Sequence, residues 1–520
     1  MIMELVRENI EYEQLLGEDS VDTVVRQEHV IPDTHPDVEE ILMVEAKPCI
    51  VSKEIMNDKI YMEGQIEYNI LYLAKGERGK EVYDFTYTGE FSNSMDINGA
   101  EREMMCDIES HVEHIECAVV NERKIAVEGI IKLKAAIYKN YSFDIVKDIE
   151  DNENVELLKN PTSVDKISVV VPSELIGKSH MKVKMEKPEI NNIMKCDVHV
   201  HKKDVTLYEG KIKISAMARI QLIYKGKDSR DINIIEDDVL LNKEIENESI
   251  NPTMENYTAF VVDAMQVDVK EDDLGEKRII DVEILVKSNT KIMYKEEINM
   301  IEDVYSPYYV LDVERKNYML NVIHGQKWQE VLAKGEITIE SDMPKPNKII
   351  LSTGDVCVTG KKIVEDKVII EGLVTTKVLY NTEDQEMYMY AVEDGIPFTC
   401  TSEIPGSKID MNCIVKANLE NIEANIEPGD ISIKCLVNVY VRVSYITNKD
   451  FIVDVEVNEE SIPQKKASVT IYVVQNGDTL WKIAKKYNSK IEELARVNNI
   501  EDINSITVGN KLIIPGRAVI

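Results

Sequence analysis

Apolar and polar residues alternate along most of this chain. Over residues 58–72 the apolar series is Ile60, Met62, Ile66, Tyr68, Ile70 and Tyr72. Over 211–224 it is Ile212, Ile214, Ala216, Ala218, Ile220 and Leu222, and over 366–380 it is Val368, Ile370, Val374, Val378 and Tyr380. Every second position is apolar, the signature of a half-buried strand. A second set is cleaner still, with Ile431, Ile433, Cys435, Val437, Val439, Val441 and Val443 on one face. Two shorter segments, Glu4 to Leu16 and Asp37 to Val44, are read as helical pieces.

These strands recur on a long period. Residues 58–72 resemble 366–380 at an offset of 308, and 211–224 is a third copy between them. Pro36 to Tyr72, Pro188 to Tyr224 and Pro344 to Tyr380 each span 36 positions. The stretch 125–137 corresponds to 431–443 at offset 306, and to 280–292 in the middle copy, which follows a longer turn at 271–276. Phe91 to Cys106 and Phe398 to Cys413 are both 15 apart. Long internal periods of this kind define architecture. Alternating strands with short acidic turns predict an antiparallel sandwich or barrel-like β domain. A unit of about 150 residues can bury its own core, so the copies are expected as three beads. The expected limits are 1–145, 146–305 (the most diverged copy) and 306–457, with a linker at 458–471 and a separate module at 472–520.

That last module has another rhythm. Val469 to Val474 reads as a short strand. Leu480, Ile483, Ala484 and Tyr487 fall at i, i+3, i+4 and i+7 of a helix that Asp478 can cap. A capping box at Ser489 opens a second helix with Ile491, Leu494 and Val497. A turn at Gly509 leads to a final strand from Lys511, completing a βααβ order.

Charge sharpens the division. The chain of 520 residues carries 95 acidic and 61 basic side chains, a net charge of -34. Residues 472–520 hold seven basic and five acidic side chains, so the rest carries -36. So acidic a surface repels phosphate backbones, which argues against nucleic acid as a partner. No apolar run approaches the 18 residues a membrane span requires. Glu4, Arg7 and Glu8 stand where a signal peptide needs an apolar core, so the chain is expected to stay in the compartment where it is made. The eight cysteines are scattered without a CxxC pair and read as small buried hydrophobes.

Candidate chemistry is sparse. Glu236, Asp237 and Asp238 read as solvent-facing loop charges, and the glycines at 76 and 226 as hairpin turns. His111 and His114, and His199 and His201, form pairs, the second on one strand face, but neither has a third metal ligand at recognisable spacing. No nucleophile, phosphate-loop or zinc-protease motif is present, so neither a catalytic site nor a cofactor is expected. Trp481 points about 100° away from the apolar stripe of its helix. It either caps the small core or anchors an interface. Lys482, Lys485, Lys486 and Lys490 make a basic helix face, suited to an acidic partner or to the chain's own acidic repeats.

Tyr472, Val474, the run Gly477-Asp478-Thr479-Leu480, Ile483, Ala484, Leu494, Asn498, Gly509, Leu512, Ile514 and Pro515 together resemble a LysM domain along its length. By position in that family, the sugar groove would be formed by Gly477, Asp478, Thr479 and Leu480 on one side and Asn504, Ser505 and Ile506 on the other. The second loop departs from the family pattern, being longer and lacking Asn-Pro. A protein without an export signal, with acidic β repeats and a C-terminal LysM, is similar to the SipL-like clostridial spore coat morphogenetic proteins, whose counterpart in bacilli is SpoVID. That resemblance implies a mother-cell protein at the forespore surface. It would bind stage IV sporulation protein A, the coat basement-layer ATPase, through Trp481, Lys482, Lys485 and Tyr472. Its repeats would recruit other coat proteins or self-associate. The alternative is an anchor on peptidoglycan.

Overall fold

The structure, a computed structural model, describes residues 3–76, 79–150, 152–384, 387–458, 470–503 and 506–515. The first unit contains β1 (Leu5–Val30), β2 (Val38–Met56), β3 (Lys59–Gly76), β4 (Gly79–Asp96), β5 (Met105–Asn121) and β6 (Lys124–Ile149). Strands β2-β3-β4 form one antiparallel sheet and β1-β6-β5 another. Ile60, Ile66 and Tyr68 of the first sheet share a buried core with Val127, Ile131 and Leu133 of the second. The cleanest alternations in the sequence belong to the central strands, β3 and β6. With a neighbour on either side and a sheet on one face, a central strand shows the sharpest in-out contrast.

The plan is used three times. The second unit has β7 (Glu156–Lys182), β8 (Ile190–Tyr208), β9 (Lys211–Gly226), β10 (Ile232–Glu246), β11 (Glu255–Glu271) and β12 (Lys277–Tyr305). The third has β13 (Val310–Thr338), β14 (Pro346–Val364), β15 (Lys367–Thr382), β16 (Met389–Glu403), β17 (Asn412–Glu427) and β18 (Asp430–Asn458). Their sheets run β8-β9-β10 with β7-β12-β11, and β14-β15-β16 with β13-β18-β17. The repeated proline–tyrosine interval is a contact: the hydroxyls of Tyr72, Tyr224 and Tyr380 donate to the carbonyls of Pro36, Pro188 and Pro344 at 3.3, 3.4 and 3.0 Å. Each bond satisfies a phenol whose ring is fully buried. Phe91 and Phe398 lie over Gly64 and Gly372 of the adjoining strand, where a Cβ would come within 2.3 Å of the ring in both units.

Three expectations are corrected. The segments read as helical at 4–16 and 37–44 are strand from Leu5 and from Val38, not helix. Ile10 and Tyr12 are buried between exposed neighbours, and β6 and β3 supply the pairing partners that a short segment cannot reveal by itself. Glu236, Asp237 and Asp238 lie on β10 rather than in a loop. There Glu236 accepts from Gln221, Asp237 from Ser179, and Asp238 from Arg219. Nor are the units separate beads. Leu71, Leu73 and Val82 of the first, Met194, Ile223 and Ile232 of the second, and Leu351, Leu379 and Met389 of the third form one buried cluster. The Tyr388 hydroxyl belongs to the third unit, accepts from the Val82 amide of the first at 2.9 Å and donates to the Arg230 carbonyl of the second. A second three-way cluster joins Ile10, Phe143 and Ile145 to Val164, Ile298 and Met300, and to Leu320, Val322 and Phe451.

The long strands β1/β6, β7/β12 and β13/β18 carry these junctions past the sandwiches and close them cyclically. Lys159 of the second unit pairs with Asp148 of the first, Arg315 of the third with Asp303 of the second, and Arg7 of the first with Asp454 of the third, at 2.7, 2.7 and 2.8 Å. Register makes the three carboxylates equivalent, each one residue before the paired Ile149, Val304 and Val455. These pairs are partly exposed, so each contributes about 0–1 kcal/mol. Arg7→Ala should accordingly lower stability to urea by about 1 kcal/mol or less; a larger loss would mean that the ion pairs, and not the apolar clusters, hold the ring shut.

Candidate functional site

The module at the C-terminus comprises β19 (Thr470–Val473), α1 (Leu480–Lys486), α2 (Ile491–Val497) and β20 (Lys511–Ile514), with β19 antiparallel to β20. Leu480, Ile483, Ala484, Leu494, Leu512 and Ile514 form its core. Asn498 ties α2 to β20, donating to the Leu494 and Ile513 carbonyls at 2.8 Å and accepting from the Ile513 amide. Asp478 does not cap α1. Its carboxylate accepts from the Gln475 amide and the Tyr472 hydroxyl, both at 2.8 Å, which staples the turn and holds its pKa below the usual carboxylate range. Thr479 is the cap instead, accepting from the Lys482 amide at 3.2 Å. Ser489 does not cap α2 either: Lys490 occupies that position without a side-chain cap, and the Ser489 hydroxyl donates to Tyr487.

In the first groove loop Gly477 and Thr479 are exposed, Asp478 is half-buried and Leu480 belongs to the core. Gly477 has φ +84°, a left-handed turn position that suits glycine. On the opposite side Ile506 is half-buried, while Asn504 and Ser505 lie outside the described residues. Lys482 donates to the Gly477 carbonyl at 3.0 Å. Tyr472 faces the ring of Tyr487 and the ammonium of Lys486.

Trp481 and Lys485 leave the module and meet the end of β12. The indole Nε1 donates to Asp303 at 2.8 Å, and the Lys485 ammonium donates to both oxygens of the same carboxylate at 2.7 and 2.8 Å. The Tyr305 ring packs edge-on against Trp481 with centroids 5.0 Å apart, and its hydroxyl donates to the Ser489 carbonyl at 2.9 Å. Lys490 donates to the Glu153 carbonyl and lies over the Tyr308 ring. Trp481 is left 9% exposed. Burial pushes the Asp303 carboxyl up, but the bonds from Lys485 and Trp481 outweigh it and hold the pKa below its usual value. Burial raises Glu156, which accepts from the Ile491 amide at the same contact. Of the basic helix face, Lys485 and Lys490 thus reach the repeats while Lys482 and Lys486 stay on the module's own groups, and Trp481 spans the module core and its interface. Asp303 and Tyr305 carry no motif; their signal is a break in the repeat, since Glu150 and Glu456 stand where the second unit has Tyr305.

The histidine pairs are taken up structurally. His201 is buried against Asp238 at 3.1 Å, and His114 pairs with Glu116. Burial depresses the pKa of His111 and His199. Among the described residues, no group of three or more His, Cys, Asp or Glu side chains stands where it would hold a metal ion. All eight cysteines are free thiols.

Three alike β sandwiches closed into a ring, bearing a small βααβ module, define a repeat β protein with an appended small domain. The SipL SPOCS domain family matches residues 37–120, 189–270 and 345–427, and the LysM domain family matches 472–515. Each SPOCS match spans the second to fifth strands of a unit, leaving the paired outer strands outside it. The chain is a SipL-like protein with three SPOCS domains and a C-terminal LysM domain. Both are non-catalytic domain families, and the SPOCS repeats relate the chain to sporulation and the spore coat. No curated protein and no solved structure matches it.

Proposed function

We propose that this chain is an assembly scaffold of the spore coat. It works in the mother-cell cytoplasm at the forespore surface, where its LysM domain binds stage IV sporulation protein A, the coat basement-layer ATPase. The SPOCS domains recruit other coat proteins or further copies of the chain. We take the domains as 1–145, 146–305 and 306–457, the linker as 458–471 and the LysM domain as 472–520, with the last strand of the first domain running on to Ile149. The observation that carries the reading is the combination of three SPOCS domains with a LysM whose Trp481 and Lys485 engage a protein surface, the end of β12, rather than line the groove. A tryptophan beside a cation is the composition of a protein-binding hot spot.

Trp481→Ala in the full chain should weaken binding to the purified ATPase by about 2 kcal/mol or more while leaving the β units folded by circular dichroism. Wild-type affinity in that variant would remove Trp481 from the interface. The second reading, an anchor on cortex or wall glycan, is favoured by the exposed Gly477 and Thr479 of the groove loop. Sedimentation with purified peptidoglycan discriminates between the two: co-sedimentation without ATPase binding would replace the first reading by the second.

A further inference from the structure

The LysM domain has three equivalent strand ends to rest on and uses one. Asp148, Asp303 and Asp454 occupy the same register position, and each takes a cation from the next unit: Lys159, Arg315 and Arg7. Only Asp303 also accepts Trp481 and Lys485. Two residues later the repeat is broken, with glutamate at 150 and 456 but Tyr305 in the second unit, buried against Trp481. A glutamate at 305 would offer no ring to the indole and no donor to the Ser489 carbonyl. The second unit is thus fitted to this module where the other two are not.

The contact is also built to open. Asp303 is also paired at 2.7 Å with Arg315, a partner that does not belong to the module, so undocking leaves the carboxylate a cation within reach. Lys485 remains substantially exposed in the docked state, so water is close to the pair. The cover is needed chiefly by Trp481 and Tyr305, two aromatic surfaces that another protein can cover as well.

We propose that this contact is a closed latch: the chain occupies its own Trp481 face in cis, and the LysM domain must leave Asp303 and Tyr305 before that face accepts a protein partner. This rests on the reading of Trp481 given under Proposed function. A binding face that is only fractionally free weakens apparent affinity by that fraction. Coat assembly would then begin only where the partner is concentrated enough to compete with the end of β12.

The test uses the full chain with Trp328→Phe, which leaves Trp481 as the sole tryptophan. Acrylamide quenching of Trp481 reports the latch without any partner. Asp303→Ala removes the shared carboxylate, and Tyr305→Glu installs the residue type of the other two units, where the fold already accepts it. Both should raise quenching severalfold and tighten binding to the purified basement-layer ATPase by about tenfold or more. Unchanged quenching in both variants overturns the latch. Raised quenching with unchanged binding overturns its control of this face. Absence of ATPase binding in every form, including the opened ones, overturns instead the partner reading, and quenching alone then decides the latch.

Discussion

Leu379→Ala should lower the stability of the β units by about 2–5 kcal/mol, the range for a large buried aliphatic cut to alanine. Leu379 lies on β15 with its side chain on the face away from its own sandwich core, and it is fully buried among Leu71, Ile223, Leu351 and Met389. Removing it opens a cavity at the meeting point of all three units. The walls of that cavity are separate sandwiches, each rigid in itself, so collapse is restricted and the cost falls toward the upper end. Leu379→Asp should go further, burying a charge without a partner. Its sandwich core is untouched, so circular dichroism should stay β-rich while the radius of gyration in small-angle scattering rises. An unchanged urea midpoint for Leu379→Ala would show that the junction contributes nothing to holding the units together.

Lys195→Met is expected to cost about 3–5 kcal/mol, the penalty for stranding a buried ionic partner. Lys195 replaces apolar Met43 and Leu351 at the equivalent register positions, opposite Ile223 where those face Leu71 and Leu379. Its ammonium is buried and ion-paired to Glu45 of the first unit and Asp197 of its own strand. Burial lowers its pKa, but the two carboxylates outweigh that and raise it. Asp197 retains Lys47, so Glu45 bears the loss, left among the described residues with the Thr353 hydroxyl at 3.3 Å. The double variant Lys195→Met, Glu45→Gln removes both charges and should recover most of the stability, as replacing buried ion pairs generally does. Urea titration of the single and double variants measures the coupling. A single variant as stable as wild type would mean that water reaches Glu45.

The strands read most surely from the sequence are the six central ones, because their inward positions are apolar over long runs, with only such buried exceptions as Thr376 on β15 and Ser288 and Thr290 on β12. Their edge partners are harder. β1 presents both faces partly to solvent, and its first half reads as helix in the sequence because Ile10 and Tyr12 point into a junction that exists only when three units meet. The same cause hid the ring. Ile70 to Ala74 is an unbroken apolar run, a mark of burial on both faces, but what covers the second face lies some 150 and 300 residues away. The 36-residue proline–tyrosine interval was visible as a spacing, and only the fold explains it as a hydrogen bond. In the LysM domain most of the core is legible, though Val497, which the second helix's stripe includes, is exposed. The domain's capping is not, because Asp478 and Thr479 are both good caps and the Tyr472 hydroxyl captures the first. Trp481 was identifiable as a surface aromatic, but Asp303 and Tyr305 become meaningful only by comparing three copies in register.

Because the ring closes through a single polypeptide, the order of synthesis matters. Arg7 near the start meets Asp454 near the end, 447 residues later. Each sandwich can complete itself as its sixth strand leaves the ribosome, since β1 needs only β6. The junction surfaces around Leu71 and Ile223 must then wait, apolar and uncovered, until the third unit is made. During that interval the nascent chain carries a surface that another nascent chain of the same kind would fit, and domain-swapped partners are the natural by-product. The dense negative charge of the repeats, which repels one emerging chain from the next, acts where this hazard is greatest.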